Sequence, residues 1–344
     1  MRRTWIALVA AFCAAHGVAA APEPSGGTRL GSKDGAFTIN GAPVFLVGAS
    51  YYGGLGASDA TRAKDLTALR KHGFNWIRVW ATWAAFENDV SAVDGEGAPR
   101  PEHMRALARL LSECDRLGMV VDVTLSRQNG ATGPPRLKST AALVRAAAEI
   151  ASACKERRNW YLDAANERNI KDARFVALDE IAAVVRRVKE IDPGRLVTAS
   201  HAGGDLGTRE LPAYLAAGVD FLAPHRPRHR GSAAETGAWT RETLAFLRAS
   251  GRVVPVHFQE PFRRGFAEYE PPAADFILDL AQAYEAGAAG WCFHNGAEGK
   301  GPAQRPRRSF DLRDGPLVDQ LDEEERKLFA HIREAWRTPR APAK

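Results

Sequence analysis

Two glutamates stand directly behind apolar stretches of strand length, a position where a carboxylate can do chemistry. Glu167 follows Asn166 at the end of the run 160–165, and Glu260 stands behind the run 253–258. An apolar run that ends abruptly in polar residues is typical of a buried strand whose carboxyl end opens into a polar site. Two such strands in one parallel sheet would bring a pair of carboxylates to a shared pocket, where a nearby like charge is expected to raise one of the two pKa values and so separate an acid from a base or nucleophile.

The rest of the chain alternates strand-length apolar runs with helix-like stretches, and it does so eight times. The predicted strands are 43–48, 75–80, 119–125, 160–165, 195–199, 219–223, 253–258 and 288–293. The predicted helices are 59–71, 101–117, 140–154, 172–191 with Asp172 as its cap, a short one before Gly218, 239–249, 271–286 and 321–336. Eight such units in roughly 250 to 290 residues predict an α/β protein of the (β/α)8 barrel type. All strand exits of a barrel lie on one face, so Glu167 and Glu260 are expected to meet there.

Two further features bear on this architecture. A doubly wound open sheet, the main rival, usually carries a glycine-rich phosphate loop after its first strand, and residues 51–56 do not match that loop. Turn sequences at 32–35 and at Asn40-Gly41 predict a short N-terminal β-hairpin over 29–41.

The ends of the chain predict a leader, a linker, one domain and a tail. Residues 1–20 have the pattern of a cleavable signal peptide, with two arginines, an apolar core and then small residues. The apolar core is shorter than the about 20 residues that span a membrane. We therefore expect export to the periplasm or the medium, without a membrane span. A linker at 21–28 leads to the barrel domain at 29–338, and a basic tail follows at 339–344.

Composition and cysteine content restrict the class of protein. Hydrophobic residues make up 45% of the 344 residues, and the net charge of +6 arises from interspersed residues of both signs. Because no basic run is interleaved with aromatic residues, we expect no nucleic-acid partner. No Cys/His spacing indicates a zinc site, and no metal or organic cofactor is implied. Cys114 and Cys154, on successive predicted helices, either form a disulfide or remain small buried thiols.

A carboxylate pair flanking one cleft is the minimum equipment for glycoside hydrolysis. The residues also carry a resemblance: the chain is similar to the retaining glycoside hydrolases of clan A, which are (β/α)8 barrels, and most of all to family 5 with its cellulases and mannanases. Asn166-Glu167 after the fourth strand matches the acid/base motif of the clan, and Glu260 after the seventh matches its nucleophile. Arg78 in the second strand resembles the arginine that orients the nucleophile. Trp291 in the eighth strand resembles the aromatic floor of the sugar site.

The resemblance covers roughly residues 36–336 and has two departures. Family 5 often places a histidine after the third strand, where this chain has Ser126-Arg127. It commonly has His-x-Tyr at the sixth strand, with the tyrosine touching the nucleophile, where this chain has His225-Arg-Pro227. That tyrosine contact is therefore either absent or supplied by another residue.

Other residues near strand exits are candidates for binding the substrate. Sugar C–H faces stack on aromatic rings, so Trp80 is expected to line the site together with Trp291. Candidates with hydrogen-bonding side chains at the exits are Tyr52, Asn166, His201, His225 and Asn295.

The charged residues inside the strands are expected either to belong to the site, as Arg78 does unless it forms only a structural ion pair, or to be structural. Arg78 lies in an apolar strand and needs a buried partner, for which a carboxylate across the barrel is the obvious candidate. Asp163 is expected in a buried network, and Asp122 in a structural role. Strand alternation predicts that His257 faces the helices.

Structural roles stay open for the two glutamates as well. Glu167 could be a rim charge paired with Arg168, and Glu260 could pair with Arg263 or Arg264.

The resemblance implies hydrolysis of a β-linked glycan of the glucan or mannan type by double displacement. Glu260 would attack the anomeric carbon, while Glu167 would first donate a proton and then activate water. That mechanism requires carboxyl groups about 5 to 5.5 Å apart. We expect a monomer whose partner is an oligo- or polysaccharide. The alternatives are a carbohydrate-binding barrel without turnover, or a lyase or isomerase. A lyase or isomerase is disfavoured because the interior strands supply neither a lysine nor a convincing set of metal ligands.

Overall fold

The chain folds into a barrel of eight parallel strands surrounded by helices, as the sequence predicts. The computed structural model describes residues 27–127, 136–204, 206–261, 263–265, 269–296 and 309–337. Three antiparallel strands come first: β1 Leu30–Lys33, β2 Ala36–Ile39 and β3 Ala42–Val44. The barrel strands are β4 Leu46–Ser50, β5 Trp76–Trp80, β6 Val120–Thr124, β7 Trp160–Asp163, β8 Val197–Thr198 with β9 Ser200–His201, β10 Ala223–Pro224, β11 His257–Phe258 and β12 Gly290–Phe293. The helices are α1 Asp59–Lys71, α2 Pro101–Arg116, α3 Thr140–Ala153, α4 Leu178–Ile191, α5 Leu211–Ala216, α6 Ser232–Ala249, α7 Ala273–Ala286 and α8 Glu323–Arg337.

Hydrogen bonds between strands close the ring. Seven strands form one parallel ladder in the order β11-β12-β4-β5-β6-β7-β8. The fifth barrel strand is interrupted between β8 and β9, and β9 pairs with β10 in parallel. Parallel bridges from Leu222 to Val256 and from His225 to Glu260 then join β10 to the β11 segment. Because the strands are parallel, all their carboxyl ends open on one face.

Helix bounds follow the sequence signals where a cap is present. The helix predicted over 59–71 is α1, and the hydroxyl of Ser58 caps it by accepting a hydrogen bond from the backbone N–H of Thr61 at 3.1 Å. Asp172 does not cap α4, which begins at Leu178. The carboxylate of Asp172 instead accepts from the backbone and the guanidinium of Arg174.

The start of α6 also differs from the prediction. This helix begins at Ser232, seven residues before the predicted start, directly after Gly231 with a φ of 93°. A glycine in that left-handed conformation turns the loop into the helix without the strain that a side chain would bring.

The predicted N-terminal hairpin is part of a larger sheet. Strands β1 and β2 form the hairpin, and β3 adds a third antiparallel strand. The run predicted as the first barrel strand is therefore divided, with Ala42–Val44 in this sheet and Leu46–Ser50 in the barrel. Both turns have positive φ values at Asp34-Gly35 and Asn40-Gly41, as tight hairpin turns require.

The N-terminal sheet seals the amino-terminal end of the barrel through Phe37. This ring is completely buried and packs against Tyr161 and Phe221, with ring centroids 6.3 and 5.0 Å away. Trp76, Val120 and other inward-facing side chains complete this apolar layer. The closed end of the barrel is therefore a packed hydrophobic core, and polar chemistry is confined to the opposite end.

His257 belongs to this interior layer, which corrects the prediction that it faces the helices. Its ring lies 4.6 Å from that of Trp76 and 5.7 Å from that of Phe37. The prediction counted back from Glu260 by strict alternation, but β11 ends at Phe258. Gln259 and Glu260 both reach into the barrel, so the count fails across that boundary. Burial lowers the pKa of His257 to about 3 and keeps the ring neutral.

The structure decides the predicted state of the cysteines but does not describe the predicted leader and tail. Cys114 and Cys154 are both buried free cysteines, so the disulfide alternative is not realised. The predicted leader at 1–20 and the tail at 339–344 lie outside the described residues. Within the described ranges, no helix combines the length and the apolar character needed to cross a membrane.

Phe37→Ala tests the sealing of the barrel end. We expect a loss of about 3 to 5 kcal/mol in the free energy of unfolding, because the substitution opens a cavity against Tyr161 and Phe221. Denaturant titration followed by tryptophan fluorescence measures it. Lys33→Ala, at an exposed position of the same hairpin, is the matched control. A loss no larger than that of the control would contradict the sealing role.

Candidate active site

Arg78 is the electrostatic centre of the polar end of the barrel. It extends from β5 into the interior and is completely buried. Its Nη1 donates to Oε1 of Glu260 at 2.5 Å, and its Nη2 donates to Asp163 at 2.8 Å and to Asn166 at 2.7 Å. The carboxylate partner expected across the barrel is therefore Glu260, with Asp163 beside it.

Two further buried side chains, those of Thr124 and Asp122, contact the guanidinium of Arg78. The Nε of Arg78 donates to Thr124 at 3.0 Å and lies 3.3 Å from a carboxylate oxygen of Asp122. Asp122 also accepts hydrogen bonds from Tyr161 and Gln259. Burial raises the pKa of Asp122, and the charge of Arg78 opposes that rise. This network links the polar site to the apolar layer beneath it.

Two arginines and two histidines surround the carboxylate of Glu260. Oε1 accepts from Arg78, and Oε2 accepts from Arg228 at 2.8 Å. The ring nitrogens of His225 and His294 lie 3.4 and 3.3 Å from Oε2. Burial opposes ionisation, but the interactions with the histidines and with Arg78 outweigh it and hold the pKa of Glu260 well below its usual range.

Glu167 lies in the loop after β7 in a backbone conformation that is rare for a glutamate. Its φ is 51°, and its backbone N–H donates to the hydroxyl of Ser200 at 2.9 Å. Its Oε2 accepts from Arg174 at 2.6 Å, and its Oε1 lies 3.3 Å from Nδ1 of His225. A left-handed φ held by such contacts is characteristic of functional sites.

The pKa of Glu167 moves in the opposite direction from that expected of a proton donor beside a like charge. Burial favours the neutral acid, but the hydrogen bond from His225 and the charges of Arg228 and Arg174 lower the pKa to about 2. The carboxylate is therefore ionised at neutral pH in this arrangement. The like-charge effect of Glu260 is outweighed because arginines contact both carboxylates.

The two glutamates lie together, bridged by one histidine. One oxygen of each glutamate and one ring nitrogen of His225 all lie within 4.8 Å of one another. By atom type these three groups could also coordinate a divalent cation. Arg78, Arg174 and Arg228 already supply positive charge to the same carboxylates, so ion pairing compensates them without a metal.

The two glutamates form ion pairs with other arginines than those that the sequence suggested. Glu167 pairs with Arg174, while Arg168 donates to the backbone carbonyl of Val176. Glu260 pairs with Arg78 and Arg228, whereas the guanidinium of Arg264 contacts Asp322.

The tyrosine contact missing after the sixth strand is supplied by other residues. Arg228 and His294 contact the carboxylate of Glu260, and neither was identified from the sequence. Strand alternation could have found His294, because Cys292 two residues earlier lies in the barrel interior. Arg228 and Arg174 lie in loops, where no periodicity predicts the direction of a side chain.

Tyr52 and Trp80, predicted to bind the substrate, lie beside the charged groups, but both side chains are buried. The hydroxyl of Tyr52 is 3.2 Å from Nδ1 of His294, and its ring stacks on Trp80 with centroids 4.6 Å apart. The guanidinium of Arg78 lies 4.5 Å from the ring centroid of Trp80. These aromatic rings support the charged groups from behind.

Two predicted binding residues, Trp291 and His201, contact the helical layer, and no described contact joins a third, Asn295, to the glutamates. The indole of Trp291 donates to Asp279 of α7 at 2.6 Å, because its neighbour Cys292 occupies the interior position of the alternation. His201 lies 3.4 Å from Glu210, the residue before α5, whereas the hydroxyl of Ser200 is directed to the site and accepts from the backbone N–H of Glu167. Asn295 is completely buried, and its side-chain atoms find no hydrogen-bond partner within the described part of the chain.

An open cavity of about 410 Å³ adjoins Glu167, and its lining also includes His225 and Arg228, which contact Glu260. Its volume suits one or a few sugar units. The residues that line it are Glu167, Ile170, Arg174, Ala202, Gly203, Gly204, His225, Arg226, Pro227, Arg228 and His229.

Comparisons with known proteins agree at the level of the fold. No protein-family model and no curated protein matches the sequence. Among solved structures, a glycoside hydrolase superposes with a TM-score of 0.66 at 13% identity, over 92% of this chain and 76% of that one. A glycoside hydrolase family 5 protein from Bacteroides vulgatus gives a TM-score of 0.61 at 15% identity, over 90% and 71% of the two chains. A family 5 mannosidase from Rhizomucor miehei gives 0.58 at 14% identity, over 90% and 97%. The chain thus shares the barrel fold of these glycoside hydrolases.

Arg78→Met tests the central charge of the site. We expect the variant to lose roughly 3 to 5 kcal/mol of unfolding free energy at neutral pH, because buried carboxylates lose their counter-charge. Their pKa values then rise above those of the unfolded chain, so the deficit narrows as the pH falls from about 7 to about 5. Denaturant titrations at both pH values measure this change.

Arg100→Met is the matched control for that experiment, because Arg100 forms a partly exposed ion pair with Asp89. Exposed pairs contribute about 0 to 1 kcal/mol. A deficit at Arg78 that does not depend on pH would contradict the electrostatic role.

Proposed function

We propose that the protein is a glycoside hydrolase that cleaves a β-linked glycan with retention of configuration. The observation that carries the proposal is the proximity of Glu167 and Glu260, with an oxygen of each within 4.8 Å of the other at the open face of the barrel. Retaining enzymes need carboxyl groups about 5 to 5.5 Å apart, whereas inverting enzymes leave room for a water molecule. Close spacing therefore favours double displacement.

In the proposed reaction Glu260 is the nucleophile. Its low pKa keeps it ionised, and Arg78 and Arg228 fix its two oxygens, so the carboxylate is oriented before the substrate arrives. Attack on the anomeric carbon breaks the bond to the leaving oxygen and forms a glycosyl-enzyme ester. Water then hydrolyses this ester and releases the sugar.

Glu167 is the proposed acid/base, and its role requires a change in protonation. It must first donate a proton to the leaving oxygen, so that the leaving group departs as an alcohol and not as an alkoxide. It later accepts a proton from water. In the unliganded arrangement the contact with His225 and the charges of Arg228 and Arg174 keep it ionised. Substrate binding must therefore weaken these interactions or exclude water strongly enough to raise the pKa of Glu167.

The class of glycan rests on similarity. The solved structures with this fold include a mannosidase and an exo-β-1,4-mannosidase from an Opitutaceae bacterium, which supports a mannan- or glucan-type β-linked glycan as the starting hypothesis. The leader-like residues 1–20 support export. We accordingly propose an extracellular or periplasmic oligo- or polysaccharide as substrate.

A carbohydrate-binding barrel without turnover is the second candidate, and one observation favours it. The ion pair between Arg174 and Glu167 opposes protonation of the proposed acid. If that pair persists in the presence of a sugar, the cavity would bind a glycan without cleaving it.

Single substitutions of the two glutamates separate these candidates. In assays with 4-nitrophenyl β-glycosides and β-linked polysaccharides, we expect Glu260→Gln to lose all measurable turnover. Glu167→Gln should lose about 10²- to 10⁴-fold with polysaccharides, and less with the good 4-nitrophenolate leaving group. Glu149→Gln, on the exposed side of α3, is the matched control. Equal turnover by wild type and Glu260→Gln would remove the nucleophile assignment.

The configuration of the first-formed product tests the mechanism independently. We expect NMR spectra recorded early in the reaction to contain the β-anomer, because two displacements at the anomeric carbon restore the original configuration. An α-anomer appearing first would instead indicate direct attack by water.

A further inference from the structure

The cavity beside the two glutamates has an unusual lining for a site that binds a neutral sugar. Neutral sugars are commonly held by aromatic rings and neutral hydrogen-bonding groups. Among the described residues that line this cavity, none is Trp, Tyr or Phe. Among these described lining residues, Glu167 alone carries a negative charge, whereas Arg174, Arg226 and Arg228 are positive.

Arg174 presents one edge of its guanidinium to this cavity. Asp172 holds the other edge, accepting from Nε at 3.0 Å and from Nη2 at 2.7 Å. Nη1 is thereby directed to Glu167, and the side chain remains 22% exposed. Asp172 thus fixes the direction of Arg174 from outside the cavity.

Arg228 is also held by hydrogen bonds, in this case to Pro261 and Glu260. Its Nε donates to the carbonyl of Pro261 at 3.2 Å and its Nη2 to Oε2 of Glu260 at 2.8 Å. The side chain is 20% exposed and lies in the segment 225–230, whose sequence is His-Arg-Pro-Arg-His-Arg. The cavity therefore lies beside two partly exposed guanidinium groups, each touching one of the two glutamates.

Arg226 does not take part in the same way. Its guanidinium contacts Ser232 and Thr236 and lies 5.6 Å from the ring centroid of Trp239, on the side of α6. Only Arg174 and Arg228 of the three are therefore assigned to the ligand.

We propose that the glycan bound in this cavity carries an anionic group, a uronate carboxylate or a sulfate ester, which Arg174 and Arg228 recognise. This inference rests on the proposed hydrolase function and specifies its substrate class. The planar fork of arginine matches such oxyanions and binds them with charge-assisted hydrogen bonds. The partly buried position of both groups limits the screening of these interactions by solvent.

The anionic group would also prepare Glu167 for catalysis. An oxyanion that accepts from Nη1 of Arg174 competes directly with Oε2 of Glu167 for the same donor. Loss of the contact with Arg174 removes one of the interactions that hold Glu167 ionised. The other charged or titratable groups that face Glu167 are His225, Arg228 and Glu260. Binding of the correct substrate and protonation of the acid are then coupled.

Matched oligosaccharides test the substrate class. The β-1,4-linked oligomers of glucose and of mannose are compared with those of glucuronic and mannuronic acid, together with 6-O-sulfated glucose oligomers. Cleavage is measured as kcat/KM by product chromatography, and binding by calorimetry. We expect one anionic series to exceed its neutral counterpart by about tenfold to a hundredfold, as one or two charged hydrogen bonds imply. The uronate and sulfate arms distinguish the two sources of charge.

Substitution of the arginines tests the assignment of residues. Arg174→Gln and Arg228→Gln should each raise KM for the anionic oligomer about tenfold or more, and Arg174→Lys should recover part of the loss. With a neutral substrate, Arg174→Gln should move the high-pH limb of the rate profile to higher pH, because Glu167 then keeps its proton longer. Arg187→Gln, in an exposed ion pair on α4, is the matched control.

The outcomes separate this inference from the proposed function. Cleavage of neutral oligomers at rates equal to or above those of the anionic ones overturns the inference and leaves the hydrolase function standing. Binding of anionic oligomers through Arg174 without any cleavage supports the inference and removes the hydrolase function. Failure to bind or cleave any series overturns both.

Discussion

The charge of Arg78 in the middle of the barrel is the constraint on which the polar end of the structure depends. An arginine taken out of water is costly unless opposite charges and acceptors surround it. The third strand supplies Asp122 and Thr124, the fourth supplies Asp163, and the segment after the seventh supplies Glu260. The same contacts that compensate Arg78 hold Glu260 in a single orientation at the open face.

The two ends of the barrel interior differ: one is an apolar core, and the other holds the charged groups. At the amino-terminal end, the sheet β1–β3 inserts Phe37 into a layer of large apolar side chains. At the carboxyl end, charged groups replace this layer, and Tyr161 and Gln259 form the transition through their hydrogen bonds to Asp122. A sealed apolar end allows the other end to hold buried charges, because the strands that carry those charges are already fixed from below.

The electrostatics of the two glutamates differ from a simple pair of neighbouring acids. Like charges in proximity would raise one pKa, yet arginines and His225 contact both carboxylates and keep both pKa values low. Arg228 and His294 contact Glu260, where the resemblance implied a tyrosine. The resting site is therefore more cationic around its acids than the resemblance alone implied, and this difference is the physical basis of the proposed anionic ligand.

The sequence by itself determined the barrel, the exits at which Glu167 and Glu260 stand, and the pairing of Arg78 with a carboxylate across the ring. Strand periodicity and the order of the elements can be recognised directly along the sequence. Only the tertiary structure decided which face of the sheet each side chain takes: Trp291 and His201 turn to the helices, while His257 turns inward. It also decided that Arg174 and Arg228, from loops without periodicity, reach the glutamates and set their charge. Alternation holds only inside a hydrogen-bonded ladder, and the charge on an acid depends on groups far away in the chain, so neither could be obtained from neighbouring residues.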